Sequence, residues 1–184
     1  MPSSLLSLEQ SALLVIDMQE KLLPLMEHRD RILKQTRILL EAARILSVPV
    51  MVTEQYPQGL GATVHDLRDA LPDRAIVLEK TAFGAVEAPG FTDALQACGR
   101  SQVIVCGIEA HICVTQTTLQ LLELGKTVFL AHDAVSSRQK RNLKAALWRM
   151  TQAGAIPFTS EMALFEWTRT ANCPPFKALQ ALIK

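Results

Sequence analysis

Three residues in this sequence combine a carboxylate, an ammonium group and a thiol at positions suited to chemistry. Asp17 ends the apolar run ALLVID, Lys80 ends AIVLEK, and Cys113 lies just inside the helical stretch after QVIVCG. A carboxylate can act as a general base, a lysine can hold its neighbours ionised, and a thiol at a helix start can act as a nucleophile. Together, the three residues predict a site for nucleophilic catalysis.

Each of the three also has an ordinary structural explanation. Asp17 would suit a helix cap or a turn after its strand. Lys80 would suit a solvated strand end, and Cys113 a small buried hydrophobic position. These alternatives stay open for the residues taken one at a time, and it is their combination that favours a site.

Cys113 falls in the first turn of the helix predicted over 111–125. The positive end of a helix dipole favours an anion, so we expect the pKa of this thiol to lie below the usual value of about 8.5. Backbone N–H groups at the same helix start could hold an oxyanion. His111 is a weaker partner for the thiol, because residues two apart need not face each other on a helix.

The elements that must position these residues alternate along the chain. Apolar runs predict strands over 11–19, 48–55, 75–80, 102–107, 126–134 and 155–160, and amphipathic stretches predict helices over 29–47, 111–125 and 138–154. The segment HDA, at the end of the fifth run, is interpreted as a turn. Continuous apolar strands between helices predict an α/β fold with three layers, in which a six-stranded, mostly parallel sheet is covered on both faces. Such sheets bind ligands at the carboxyl ends of their strands.

Composition narrows the possible partners. The chain has 184 residues, 49% of them hydrophobic, and its formal net charge is +1, which predicts one domain over 1–184 without a nucleic-acid stripe or a membrane patch. The N-terminus lacks the pattern of a signal peptide, and the four cysteines form no CxxC pair, so a cytoplasmic location is expected. The phosphate-loop fingerprints are absent, and the histidines are too scattered for a metal site, so no cofactor is expected.

Four segments resemble the isochorismatase-like cysteine hydrolase family: LLVIDMQEKL, PVMVTEQYPQGLG, EKTAFGA and VIVCGIEAHICVTQTTLQLLELGKTVFLAHDAVSSR. The resemblance covers about residues 10–165 and is strongest toward the small, metal-independent members that carry TEQYPQGLG. It implies a Rossmann-like strand order, 3-2-1-4-5-6. It also implies hydrolysis of a small-molecule substrate, and assembly of the chain into a dimer, tetramer or larger homo-oligomer.

The resemblance further implies roles for named residues. Asp17, Lys80 and Cys113 match the family's catalytic triad. A cis peptide is implied between Ile108 and Glu109, with the backbone N–H groups of Glu109 and Cys113 forming an oxyanion hole. The expected reaction is attack of the thiol on a carbonyl carbon, followed by hydrolysis of a thioester.

Two departures from relatives in the family narrow the expected substrate. Nicotinamidases bind a metal through an aspartate and histidines after the second strand, where this chain has Thr53, Glu54, Gln55 and Tyr56. A cysteine nucleophile favours an amide or related C–N or carbonyl compound over isochorismate. Gln55, Tyr56 and Phe83 are expected to line the pocket, although ordinary loop packing would explain them equally well.

Three questions stay open at this point. The strand before Lys80 lies two places from the strand before Asp17, roughly 10 Å away, so Glu54 on the strand between them is an alternative partner for Asp17 and Cys113. The chain could also be a catalytically silent scaffold built on the same fold. The apolar segment FTSEMALFEW would suit either a subunit interface or the core.

Overall fold

The computed structural model describes residues 5–184 and contains one six-stranded parallel sheet. Its strands are β1 Ser11–Ile16, β2 Val50–Gln55, β3 Ile76–Lys80, β4 Gln102–Gly107, β5 Thr127–Val135 and β6 Ile156–Phe158. The strand order is β3-β2-β1-β4-β5-β6, and every neighbouring pair is parallel. The predicted fold class and strand order are confirmed.

Helices cover both faces of this sheet. They are α1 Arg29–Leu46, α2 Pro57–Leu60, α3 His65–Arg68, α4 Phe91–Ala97, α5 Thr115–Glu123, α6 Lys140–Gln152, α7 Ser160–Thr168 and α8 Phe176–Ala181. Short 3₁₀ turns lie at Leu23–Leu25 and Ala85–Glu87, and a π-helical turn at Ala110–Val114. No helix within residues 5–184 is both long and apolar enough to cross a bilayer.

β1 is the centre of the core, and all six of its residues are buried. Leu13 and Val15 pack with residues of α1 and α7, whereas Leu14 and Ile16 pack with residues of α4, α5 and α6. A strand that is covered on both sides favours apolar residues on both faces, which explains the unbroken run ALLVI after Ser11.

Two predicted elements have different boundaries in the structure. The predicted helix over 111–125 begins as the π turn and becomes α-helical only at Thr115. The predicted turn at HDA is wrong, because β5 continues to Val135, which pairs with Gly107 after a register shift. The strand is long enough to carry His132 and Asp133 within it.

Gly107 brings the ends of β1 and β4 together. A Cβ atom at this position would lie 2.1 Å from the carbonyl oxygen of Ile16, and the backbone φ is +116°. Only glycine permits both the close approach and this φ. The carboxyl end of β4 therefore lies directly against the segment that carries Asp17.

Candidate active site

Asp17 follows β1 and is completely buried. Its φ of 51° lies in the left-handed region, which is strained for a residue with a side chain, and its backbone N–H donates to the carbonyl of Thr53. The hydroxyl of Thr53 donates to Asp17 Oδ1 at 2.7 Å. The sheet thus holds a carboxylate out of water and fixes one of its oxygens.

Lys80 supplies the second charge. Its Nζ lies 2.7 Å from Asp17 Oδ2, and both side chains are completely buried. Glu54 takes no part in this pair, since its Oε1 accepts hydrogen bonds from the N–H and the hydroxyl of Thr63. Of the two alternatives that the sequence left open, the structure therefore places Lys80 beside Asp17.

Cys113 completes the cluster from the π turn. Its residue surface is 7% exposed, and its thiol interacts with both the Asp17 carboxylate and the Lys80 ammonium. The π turn is braced where the Ala110 N–H donates to the Ser136 carbonyl at 2.7 Å. Residues from β1, β3 and the segment after β4 thus meet in one buried cluster.

Burial dominates the electrostatics of this cluster. It raises the pKa of the Asp17 carboxyl, while Lys80 and the hydrogen bonds from Lys80, Thr53 and Cys113 oppose the rise. Burial also raises the pKa of the Cys113 thiol to about 12, and the negative charge of Asp17 adds to that rise while Lys80 opposes it. The prediction that the helix start lowers the pKa of Cys113 is wrong, because loss of water and a neighbouring carboxylate outweigh the helix end.

The peptide bond between Ile108 and Glu109 is cis. The Glu109 carboxylate pairs with the side chain of Arg138, and its Oε2 also accepts a hydrogen bond from the Arg138 N–H. The Glu109 carbonyl accepts hydrogen bonds from Ile112 and Val114. The Glu109 carbonyl thus holds the π turn in place, and the carboxylate is engaged by Arg138.

His111 lies close in sequence to Cys113 but has a different partner. Its Nδ1 is 2.9 Å from the hydroxyl of Ser137. Within residues 5–184 there is no group of three or more His, Cys, Asp or Glu side chains arranged to hold a metal ion.

The residues expected to line the pocket occupy two different environments. Tyr56 and Phe83 are each 53% exposed, on the loops after β2 and β3. Gln55 reaches into the cluster instead, and its Oε1 accepts a hydrogen bond from Lys80 Nζ at 2.7 Å.

Sequence reasoning missed two polar residues that hold this site. Thr53 was named only as part of the segment where metal ligands are absent, and Gln19 was not considered, although both are completely buried. Inspecting the strand next to β1 would have found Thr53, because Thr53 pairs in register with Ile16, the residue before Asp17.

The model of the isochorismatase domain matches residues 11–162. This match spans most of the chain. The chain belongs to the isochorismatase family. Its α/β fold is therefore that of a member of a hydrolase family.

Individual relatives agree with this assignment. Isochorismatase domain-containing protein 2A of Mus musculus is 41% identical over 179 residues, which is 96% of this chain and 84% of the relative. A solved structure described as MAR1 ribonuclease from Caenorhabditis elegans is 42% identical, with a TM-score of 0.93, and the match covers 98% of this chain and 92% of that one.

A second solved structure, the YcaC gene product of Escherichia coli, is 27% identical with a TM-score of 0.92. The match covers 100% of this chain and 91% of that one. That protein is described as an octameric hydrolase of unknown specificity.

Proposed function

We propose that this protein is a metal-independent cysteine hydrolase that acts on a small amide or a related C–N or carbonyl compound. The observation that carries the proposal is the burial of Asp17, Lys80 and Cys113 in mutual contact. A buried ion pair beside a thiol costs desolvation free energy, and a hydrophobic core does not need one. Such groupings are favoured where a nucleophile must be activated.

The resting thiol is protonated at neutral pH, so the reaction begins with proton transfer. Asp17 accepts the thiol proton as Cys113 Sγ attacks the carbonyl carbon, and the C=O electron pair moves to the oxygen. The backbone N–H groups of Glu109 and Cys113 hold that oxyanion. Because burial raises the pKa of Asp17, the carboxylate is a stronger base than one exposed to water.

Collapse of the tetrahedral intermediate breaks the C–N bond. The amine leaves with the proton held by Asp17, and an acyl group stays on Cys113 as a thioester. Water then gives a proton to Asp17 and attacks the thioester, which releases the acid, and Asp17 returns the proton to the thiol. Lys80 keeps Asp17 ionised at the start of each half-reaction.

Turnover of a panel of small amides and esters by wild type and by Cys113→Ala tests this function. We expect hydrolysis by the wild type and loss of hydrolysis in the variant. Equal turnover by both proteins would reject the cysteine mechanism. The absence of turnover across the panel, with an unchanged cellular phenotype in the variant, would favour the silent scaffold.

RNA is added to this panel because solved relatives are described as MAR1 ribonuclease or putative MAR1 ribonuclease. Cys113 is 7% exposed, and the cluster around it is enclosed, which favours a small substrate over a polynucleotide. RNA cleavage that is lost in Cys113→Ala would replace the amide with a phosphodiester as the substrate.

We further propose that the protein forms a homo-oligomer, as the octameric relative does. On α7, Ala163, Leu164 and Trp167 are buried, whereas Met162 and Phe165 are each 43% exposed. The segment thus serves the core on one side and leaves an apolar surface on the other. Sedimentation analysis showing only monomer at micromolar concentration would reject this proposal.

The four cysteines are all free thiols. Free thiols are typical of a reducing compartment, which supports a cytoplasmic location.

A further inference from the structure

We propose that Gln55 is a positioning residue that holds the Lys80 ammonium against Asp17. The inference rests on the proposed hydrolase function and adds a fourth residue to its machinery. Its basis is the hydrogen bonding around Lys80 Nζ, which has three hydrogens to donate.

All three hydrogens of Lys80 Nζ have acceptors within the protein. Nζ lies 2.7 Å from Asp17 Oδ2, 2.7 Å from Gln55 Oε1 and 3.3 Å from the carbonyl oxygen of Ala82. Each hydrogen of the ammonium thus has an acceptor within the protein, and the part of Lys80 in the site is electrostatic. Its position depends on the two acceptors other than Asp17, and Gln55 provides the shorter contact.

The amide of Gln55 is oriented by the chain around it. Its Nε2 donates to the carbonyl of Thr81 at 2.8 Å, so its Oε1 must face Lys80. Gln55 also pairs with Lys80 in the register of β2 and β3. The strand between Asp17 and Lys80 therefore spans the gap with a neutral acceptor.

Gln19 fixes the backbone of Gln55 where β1 has already ended. Its Oε1 accepts a hydrogen bond from the Gln55 N–H at 2.7 Å, and its Nε2 donates to the Gln55 carbonyl at 2.9 Å. The left-handed turn at Asp17 takes the main chain out of the sheet, and the Gln19 amide makes the hydrogen bonds that a next strand residue would make. Its Nε2 also reaches the Gly61 carbonyl. Because Gln19 is completely buried, this brace stays out of solvent.

A neutral acceptor suits the charge balance of the site. Asp17 and Lys80 cancel each other's charge, and a carboxylate in place of the Gln55 amide would give the buried cluster a net negative charge. That charge would compete for Lys80 and oppose ionisation of both Asp17 and the Cys113 thiol. A glutamine holds the ammonium without this penalty. Both ends of its amide are engaged within the protein, which argues against the substrate-binding role expected from sequence.

The test compares Gln55→Met and Gln55→Glu with wild type. The matched control is Gln58→Met, an exposed glutamine three residues along the chain in α2. The first readout needs no substrate: titration of the Asp17 carboxyl by ¹³C NMR, with its signal assigned by Asp17→Asn. We expect the midpoint of the Asp17 titration to rise by about 0.5–1 pH unit in Gln55→Met and by more in Gln55→Glu. We expect no change of this midpoint in Gln58→Met.

The second readout is turnover of the substrate found by the panel. We expect kcat to fall by about tenfold in Gln55→Met, with KM nearly unchanged and the acid limb of the pH profile moved upward. A raised KM with kcat and the Asp17 midpoint unchanged would make Gln55 a substrate-binding residue and overturn the proposal. Lower thermal stability with an unmoved midpoint would reduce Gln55 to a structural role and also overturn it.

Gln55→Glu keeps the shape of the side chain and serves if the methionine variant does not fold. Because the NMR titration is independent of turnover, failure of the hydrolase proposal and failure of the Gln55 proposal are separately visible.

Discussion

Two aspartates lie near the carboxyl edge of the sheet, and they have opposite surroundings. Asp17, after β1, is completely buried and contacts Lys80, Thr53 and Cys113. Asp133, near the end of β5, is half-buried and accepts hydrogen bonds from the N–H and the hydroxyl of Ser160, at the start of α7.

The comparison shows that position at the sheet edge does not make a carboxylate reactive. Asp133 satisfies backbone and hydroxyl donors at a helix start, which is a structural task. Asp17 contacts a buried cation and a thiol, and burial raises its pKa. The groups that surround each carboxylate determine whether it serves as a helix cap or as a general base.

The largest difference should come from removing each carboxylate's charge. We expect Asp17→Asn to lower kcat/KM by about 10²–10⁴-fold, because it removes the base that accepts the thiol proton. Asp133→Asn should leave kcat/KM within about twofold and cost about 1–2 kcal/mol of unfolding free energy through weaker hydrogen bonds to Ser160. Kinetics and chemical denaturation on both variants would measure these effects.

Asp17→Asn also leaves Lys80 buried without its counter-ion, which costs about 3–5 kcal/mol. Activity is therefore expressed per folded molecule. Similar kcat/KM losses in the two variants would remove the distinction between the aspartates.

A smaller effect concerns two thiols, one inside the buried cluster of Asp17 and one outside it. Cys113 lies in the buried cluster, whereas Cys173 lies partly exposed in the loop before α8. Because the pKa of Cys113 is raised to about 12, iodoacetamide at pH 7.5 should alkylate it at least about a hundredfold more slowly than Cys173.

The pH dependence of alkylation shows whether Cys113 reacts slowly because its thiol is protonated or because the reagent cannot reach it. With its raised pKa, the Cys113 thiol is still mostly protonated at pH 9. Its thiolate fraction then grows by about tenfold per pH unit until the pKa is reached. Peptide mass mapping should therefore show a steadily rising Cys113 rate above pH 9. Rapid alkylation of Cys113 at pH 7.5 would instead support the lowered pKa expected from the helix start.

The smallest effects concern the hydroxyl groups that bind each aspartate. Thr53→Val should lower kcat/KM by about three- to tenfold, because it removes the donor to Asp17 Oδ1. Ser160→Ala should leave kcat/KM unchanged and cost about 1 kcal/mol of unfolding free energy. Kinetics and denaturation on both variants check this, and equal loss of activity in the two would contradict it.

The fold was predictable because its signals are local. Unbroken apolar runs such as ALLVI in β1 belong to strands covered on both faces, and Ile32, Leu39 and Ala43 at helical spacing are buried on α1. Element ends were harder to predict. The HDA segment has turn-like residues, yet β5 runs through it because Val135 still pairs with β4.

The site was predictable in its residue types and less so in its energetics. The structure brings Asp17, Lys80 and Cys113 together, as their positions after predicted strands and the family resemblance implied. The direction of the Cys113 pKa shift could not be predicted, because it depends on how completely the cluster excludes water. The role of Gln55 depends on side-chain contacts with Lys80 and Gln19, which no linear motif records.

The covalent intermediate is the most direct test of the central claim that Cys113 is the nucleophile of this cluster. Wild type and Cys113→Ala are mixed with p-nitrophenyl acetate, quenched in acid during turnover, and examined by intact-mass and peptide mass spectrometry. We predict one acetyl group on Cys113 in the wild type and none in the variant, which should also lose turnover. Ester hydrolysis by the wild type with no acetylated Cys113, at a rate equal to that of the variant, would contradict the mechanism.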